Sequence, residues 1–84
     1  MPLFIDIHEQ LHEGATALDV KGAHAADLEV QDQYGVSYRT YWVDEANHKV
    51  FCLVDSPTAE AAAAVHRQAH GLVADRICEV VEGS

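Results

Sequence analysis

The chain has 84 residues, 49% of them apolar, and sets 14 acidic against five basic side chains for a net charge of −9. That charge excludes nucleic acid and anionic membranes as partners, because both demand a basic face that neutralises phosphate. One domain spanning residues 1–84 is expected, and at this size roughly 60% of the unfolded chain's surface is buried on folding, so a metal or a partner subunit often assists.

Residues Leu3 to His8 alternate, with Leu3, Ile5 and Ile7 in one phase and Phe4, Asp6 and His8 in the other, which predicts a first strand. Asp6 and His8 are expected on the uncovered side of the sheet. The opening Met1-Pro2-Leu3-Phe4-Ile5-Asp6 has no positive segment, and Asp6 interrupts its apolar run. Neither a secretion signal nor a membrane span is therefore expected, and the cytoplasm is the expected location. Thr16 is placed to cap a first helix running to about Gln33, with Leu18, Lys21, Ala25, Leu28 and Asp32 tracing one stripe and Gly35 as its stop.

Val36 to Asp44 is rich in aromatic and β-branched residues and predicts a second strand. The polar run Asp44–Lys49 then turns into a third strand, Val50 to Val54. Ser56 and Pro57 have the residue types of a helix cap and first helical position. The second helix they introduce has Ala61, Ala62, Val65, Ala69 and Leu72 on its inward side and Gly71 at its end. Ile77 to Glu82 closes the chain as a fourth strand.

The order βαββαβ predicts an α+β, ferredoxin-like sandwich: a four-stranded antiparallel sheet with two helices on one face. Strands three and four then flank strand one, which sets Cys52 and Cys78 roughly 9–10 Å apart. That is too far for a disulfide, so both are expected as reduced core thiols. The other sheet face is left open. Tyr38 and Trp42 fall in one phase of the second strand and Tyr41 and Val43 in the other. A half-solvated sheet should alternate more cleanly, so a homodimer through the open face or its edge is expected.

Six histidines stand in the chain: His8, His12, His24, His48, His66 and His70. His66 and His70, four apart on the second helix, fall on one face and are spaced to grip one ion. They are placed at the border of the buried stripe, half exposed; the plainer alternative is two surface imidazoles favoured by the helix dipole. His24 lies beside the buried stripe of the first helix and is a candidate third ligand, with Asp27 three residues on to orient it. Asp6, His8 and His12 make a looser second cluster, equally readable as a polar patch at a dimer interface. His48, in the hairpin turn, reads as solvent-facing. No cysteine adjoins a histidine, and no His-Glu-x-x-His, phosphate-binding glycine loop or glycine-flanked serine is present. Cys52, between Phe51 and Leu53, reads as packing.

Several segments together resemble a family of small bacterial proteins, long catalogued as a domain of unknown function, that includes nickel-binding members. They are Met1-Pro2-Leu3-Phe4-Ile5-Asp6-Ile7-His8, His24-Ala25-Ala26-Asp27-Leu28, Phe51-Cys52-Leu53, Ser56-Pro57-Thr58-Ala59-Glu60-Ala61 and Val65-His66-Arg67-Gln68-Ala69-His70-Gly71. The resemblance spans nearly the whole chain and implies a ferredoxin-like dimer that binds nickel near its surface, for sequestration or tolerance of excess metal. It carries no established enzymatic activity. It marks His66, His70, His24 and His8 as metal candidates. Ni(II) is the implied ion, with Zn(II), Co(II) or Cu(II) open to the same imidazoles. Binding through them should weaken below about pH 6, where imidazole takes a proton.

A second reading is a small dimeric enzyme or ligand-binding module. It would use His24, His66 or Asp6 as acid–base groups in a cavity between sheet and helices, with Tyr38, Tyr41 or Trp42 against a flat organic ligand. A cavity of a few hundred Å³ holding His66 would favour it.

Overall fold

Strand β1 (Leu3–His8) is the hub of the sheet in the computed structural model, which describes residues 1–83. Helix α1 (Ala17–Val30) follows, then a 3₁₀ turn over Gln31–Tyr34 and the hairpin strands β2 (Ser37–Asp44) and β3 (Lys49–Asp55). Helix α2 (Ala59–Ala69) and strand β4 (Arg76–Val80) complete the order. The strands lie as β2-β3-β1-β4, and every pairing is antiparallel. This is the ferredoxin-like arrangement anticipated from the element order. Strands β3 and β4 flank β1, and Cys52 and Cys78 are both free. Cys52 is buried, but Cys78 is exposed and is not a core residue.

The side of the sheet turned to the helices is the phase of Phe4 and Asp6, not that of Leu3, Ile5 and Ile7. Across the ladder Phe4 faces Val54, Asp6 faces Cys52 and His8 faces Val50, and Phe4, Val50, Cys52 and Val54 belong to the buried core. Asp6 and His8 therefore point under the helices, which corrects their expected place on the open side. Strand alternation separates two faces but does not say which one the helices cover.

A β-bulge resolves the mixed phases of β2. The register shifts between Tyr38 and Thr40, so Tyr38, Tyr41 and Val43 pair with the inward residues Val54, Cys52 and Val50. Trp42 falls on the opposite phase, opposite Phe51, and is 52% exposed. An extra residue in one strand reverses which phase points inward beyond it.

Thr16 caps α1 as expected, its Oγ1 accepting from the Asp19 amide while the Asp19 carboxylate accepts from the Thr16 amide. The α-helix ends at Val30, and the chain turns out through Gly35 at φ 66, in the left-handed region that glycine tolerates. The stripe expected on α1 is the wrong one: Leu18 is 75% and Leu28 44% exposed, whereas the buried residues are Val20 and Asp27. Those two are seven apart, two turns along one face. Counting apolar residues misses that face because one of its members is a carboxylate.

The start of α2 also differs. Thr58 is the cap, its Oγ1 accepting from the Ala61 amide at 3.1 Å, and Pro57 lies before the helix. Ser56 is fully buried, with its amide donating to the Pro2 carbonyl and its hydroxyl to the Thr58 carbonyl. It ties the incoming chain to the start of β1 instead of capping. Ala62, Val65 and His66 form the buried side of α2, and Leu72, past its end, is exposed.

Candidate metal centre

The inward face of β1, the buried end of α1 and the buried stripe of α2 meet at His66. Expected half exposed at a border, this side chain is buried, with the residue 1% exposed. The correction has a simple origin: α1 lays Asp27 against α2, and β1 lays Asp6 beneath it, so both flanks of the imidazole are covered. His66 Nδ1 is 2.9 Å from Asp27 Oδ1, and Nε2 is 2.9 Å from Asp6 Oδ2. Neither carboxylate is solvated, with Asp6 0% and Asp27 2% exposed.

A carboxylate only accepts, so a ring with one on each side donates from both nitrogens and is an imidazolium. Burial opposes that charge, but the hydrogen bonds to Asp27 and Asp6 outweigh it and raise the His66 pKa to about 9. Burial likewise opposes the Asp6 charge, and the His66 and His8 contacts overcome it and hold this carboxyl well below the usual range. Tyr38 donates its hydroxyl to Asp6 Oδ2 at 2.7 Å, and its ring lies 4.6 Å from that of His66. Burial and the neighbouring Asp6 charge push the phenol far up, so Tyr38 stays a donor. The Cys52 thiol is raised by burial and by Asp6, and it too is protonated.

Two polar atoms in this cluster have no hydrogen-bond partner: Asp6 Oδ1 and His70 Nε2. Such atoms cost free energy unless something satisfies them. His8 Nε2 stands 3.4 Å from Asp6 Oδ1, near but not aligned for a hydrogen bond. His70 Nε2 stands 3.0 Å from Asp27 Oδ1, also unaligned, while His70 Nδ1 accepts the Leu72 amide. Burial, with the imidazolium of His66 beside it, lowers the His70 pKa, so His70 is neutral.

The cluster resolves into two groups whose donor atoms lie within 4.8 Å of one another: Asp27, His66 and His70, and Asp6, His8, Cys52 and His66. His66 belongs to both, and each group holds one of the two unpartnered atoms. A partly open cavity of about 70 Å³ adjoins them, lined by Leu11, Val20, Val50 and Leu72 together with His66, His70 and Asp27. Beside it runs a groove of about 270 Å³ that shares His8, Leu11 and Leu72 with the cavity and includes His12.

A family model matches residues 4–80 under the description nickel responsive protein SCO4226-like. The chain belongs to this nickel-responsive family. Among solved structures it is similar to SCO4226 from Streptomyces coelicolor A3(2), a crystal structure with a TM-score of 0.89 and 38% identity, covering 98% of this chain and 99% of that one. Among curated proteins none matches.

For the SCO4226-like chain described here, the four candidate histidines are placed unequally. His66 and His70 come together with Asp27, and their rings lie 5.0 Å apart. His8 joins His66 in the other group, under the helices, where sequence placed it apart with His12. His24 is in neither group; it lines the cavity and packs on Tyr41 with ring centroids 4.7 Å apart. The metal reading of the sequence left Asp6 with His8 and His12, away from His66, and assigned Asp27 to His24, whereas the cavity reading did set Asp6, His66 and Tyr38 around one pocket; Cys52 was expected only as packing. One signal was available: a carboxylate in phase with Phe4 on β1 and another in phase with Val20 on α1 both need a buried partner.

Proposed function

We propose that the protein binds nickel(II) in its interior, at Asp27, His66 and His70, for sequestration or tolerance of excess metal. The observation that carries this reading is the unpartnered His70 Nε2, set beside a buried carboxylate and a second imidazole in a family described as nickel-responsive. Nitrogen and oxygen donors suit Ni(II), and three protein ligands leave positions open toward the cavity. An ion at His66 Nδ1 takes the place of a proton, while Nε2–H stays on Asp6, the arrangement that fixes a ligating imidazole. An ion at His70 Nε2 shifts that ring's proton to Nδ1 and gives up the Leu72 amide. The adjoining groove past His8, Leu11 and Leu72 supplies a route from the surface. Zn(II), Co(II) and Cu(II) can use the same donors and serve as comparisons.

The acting unit we propose is a one-domain, cytoplasmic homodimer, joined through the open sheet face where Leu3, Ile5, Ile7, Leu53, Phe51 and Trp42 are only partly covered. A cavity of about 70 Å³ is far below the ~300 Å³ that an organic ligand fills, which favours an ion over a small-molecule substrate.

The test is calorimetric titration of metal-free, untagged protein with Ni(II) at neutral pH, repeated on His70→Ala and His66→Gln with folding checked by circular dichroism. Binding in the wild type, lost in both folded variants, with a shift of the Leu72 amide resonance, is the expected result. Unchanged binding in His70→Ala, or no heat in the wild type, would overturn the assignment.

A further inference from the structure

The cavity and the groove beside it have three lining residues in common, His8, Leu11 and Leu72. His8 is fixed in β1, and Leu72 follows α2 with its amide tied to His70. Leu11 alone of the three stands in the segment between β1 and α1. We infer that residues 9–15 form a movable strap, with Leu11 as the gate between groove and cavity. The ion it admits or retains is the nickel proposed at Asp27, His66 and His70, so the inference rests on that reading.

The strap is pinned at its ends and lightly held in its middle. At one end the Glu9 amide donates to Asp75 Oδ2 at 2.6 Å, and the Glu9 carboxylate lies 3.0 Å from Arg76 Nη2. At the other, Thr16 is locked into the cap of α1. From residue 10 to residue 15 there is neither helix nor strand. Over that stretch, among the described residues, one hydrogen bond reaches another element: the Leu11 amide donates to the His48 carbonyl at 2.9 Å. The Ala15 amide donates within the strap, to the His12 carbonyl. Leu11 and Ala15 are half-buried and line the cavity, while Gln10, His12, Glu13 and Gly14 are exposed. Gly14 turns the chain at φ 89, a conformation that glycine adopts without strain. A segment with so few buried contacts and ties opens at a small fraction of the cost of global unfolding.

The strap sets rates and leaves affinity alone. Asp27 stands on α1, His66 on α2 and His70 at the α2 C-cap, so no donor of the proposed site moves with the strap. A ligand held equally by two states does not shift the balance between them. The ion nevertheless passes only when Leu11 is displaced, so the open fraction scales entry and exit by the same factor. A closed strap therefore slows release of a sequestered ion without any additional ligand.

Two variants of the whole chain separate a moving strap from a fixed wall. Leu11→Ala trims the gate itself. Gly14→Ala adds a methyl that meets nothing within 4 Å, so it acts only by straining the closed backbone. Uptake and release of Ni(II) are timed against a coloured chelator, with folding checked by circular dichroism and Leu11 amide exchange followed by NMR in the metal-free protein. Leu11→Ala should speed uptake and release alike, by about tenfold, the weight of a half-buried leucine, with Kd unchanged. Gly14→Ala should do the same by a similar factor and should hasten exchange of the Leu11 amide. Unchanged rates in both variants, or faster rates in Leu11→Ala alone, overturn the gate and leave the nickel reading standing. A changed Kd with unchanged uptake overturns it as well. If the wild type takes up no Ni(II), the nickel reading falls and amide exchange decides the strap: a Leu11 amide as slow in Gly14→Ala as in the wild type overturns it.

Discussion

His66 is where acid–base chemistry and stability are coupled. Its pKa is raised to about 9 in the fold against 6.5 for a free imidazole. The ion pairs are therefore fully present below about pH 6.5 and lost as pH rises through 9, a contribution on the order of 3 kcal/mol. Urea melts of the metal-free protein from pH 6 to pH 9.5 should show stability declining across that window, and His66→Gln should flatten the decline. Asp6 runs the other way: its carboxyl is held low, so its contribution is present above the usual carboxylate pKa and drains away in acid. Asp6 also holds the imidazole that the proposed nickel ion uses. Asp6→Asn should therefore weaken Ni(II) binding by ~10–100-fold, read by calorimetry; an unchanged affinity would separate Asp6 from the site.

At the scale of elements, the two helix starts and one strand irregularity position the cluster. Thr58 begins α2 two residues after the buried Ser56, which fixes the rotation that turns Ala62, Val65 and His66 inward. Thr58→Ala should cost about 1 kcal/mol in a denaturant melt, the ordinary value of an N-cap hydroxyl. Thr16→Ala should cost about as much at α1, where the hydroxyl and Asp19 form a reciprocal box. The bulge in β2 does similar work for Tyr38. Its amide, at the irregular register, donates to Gln31 Oε1 at 2.8 Å, and its hydroxyl reaches Asp6. Without the shift, Tyr38 and Trp42 would share a face, and one of them would be misplaced.

Across the whole molecule, the sheet has one face closed by helices and one open. The open face places Leu3, Ile5 and Ile7 of β1 beside Leu53 and Phe51 of β3, with Trp42 beyond. A contiguous apolar surface of this kind is what the proposed homodimer would cover. Trp42→Glu introduces a charge at a half-exposed position and should leave the protomer folded while shifting sedimentation from dimer to monomer. A monomeric wild type would remove the homodimer from the proposed function. A net charge of −9 also attracts cations to the molecule as a whole, so the rate of the proposed metal uptake should fall with added salt.

The sequence by itself determined the element order, the ferredoxin-like topology, the Thr16 cap, the separation of the two cysteines and the nearness of His66 and His70 on one helix. These follow from periodicity, turn chemistry and the handedness of crossovers, all of which act over short stretches of chain. The tertiary structure alone decided which face of β1 is covered, which stripe of α1 is buried, and that the histidines are clamped by carboxylates. Apolar counting places Asp6 and Asp27 outside, because a lone carboxylate belongs in water. Only when α1 and α2 close over β1, bringing together residues 39 and 60 positions apart, does each acid acquire the imidazole that makes its burial tolerable.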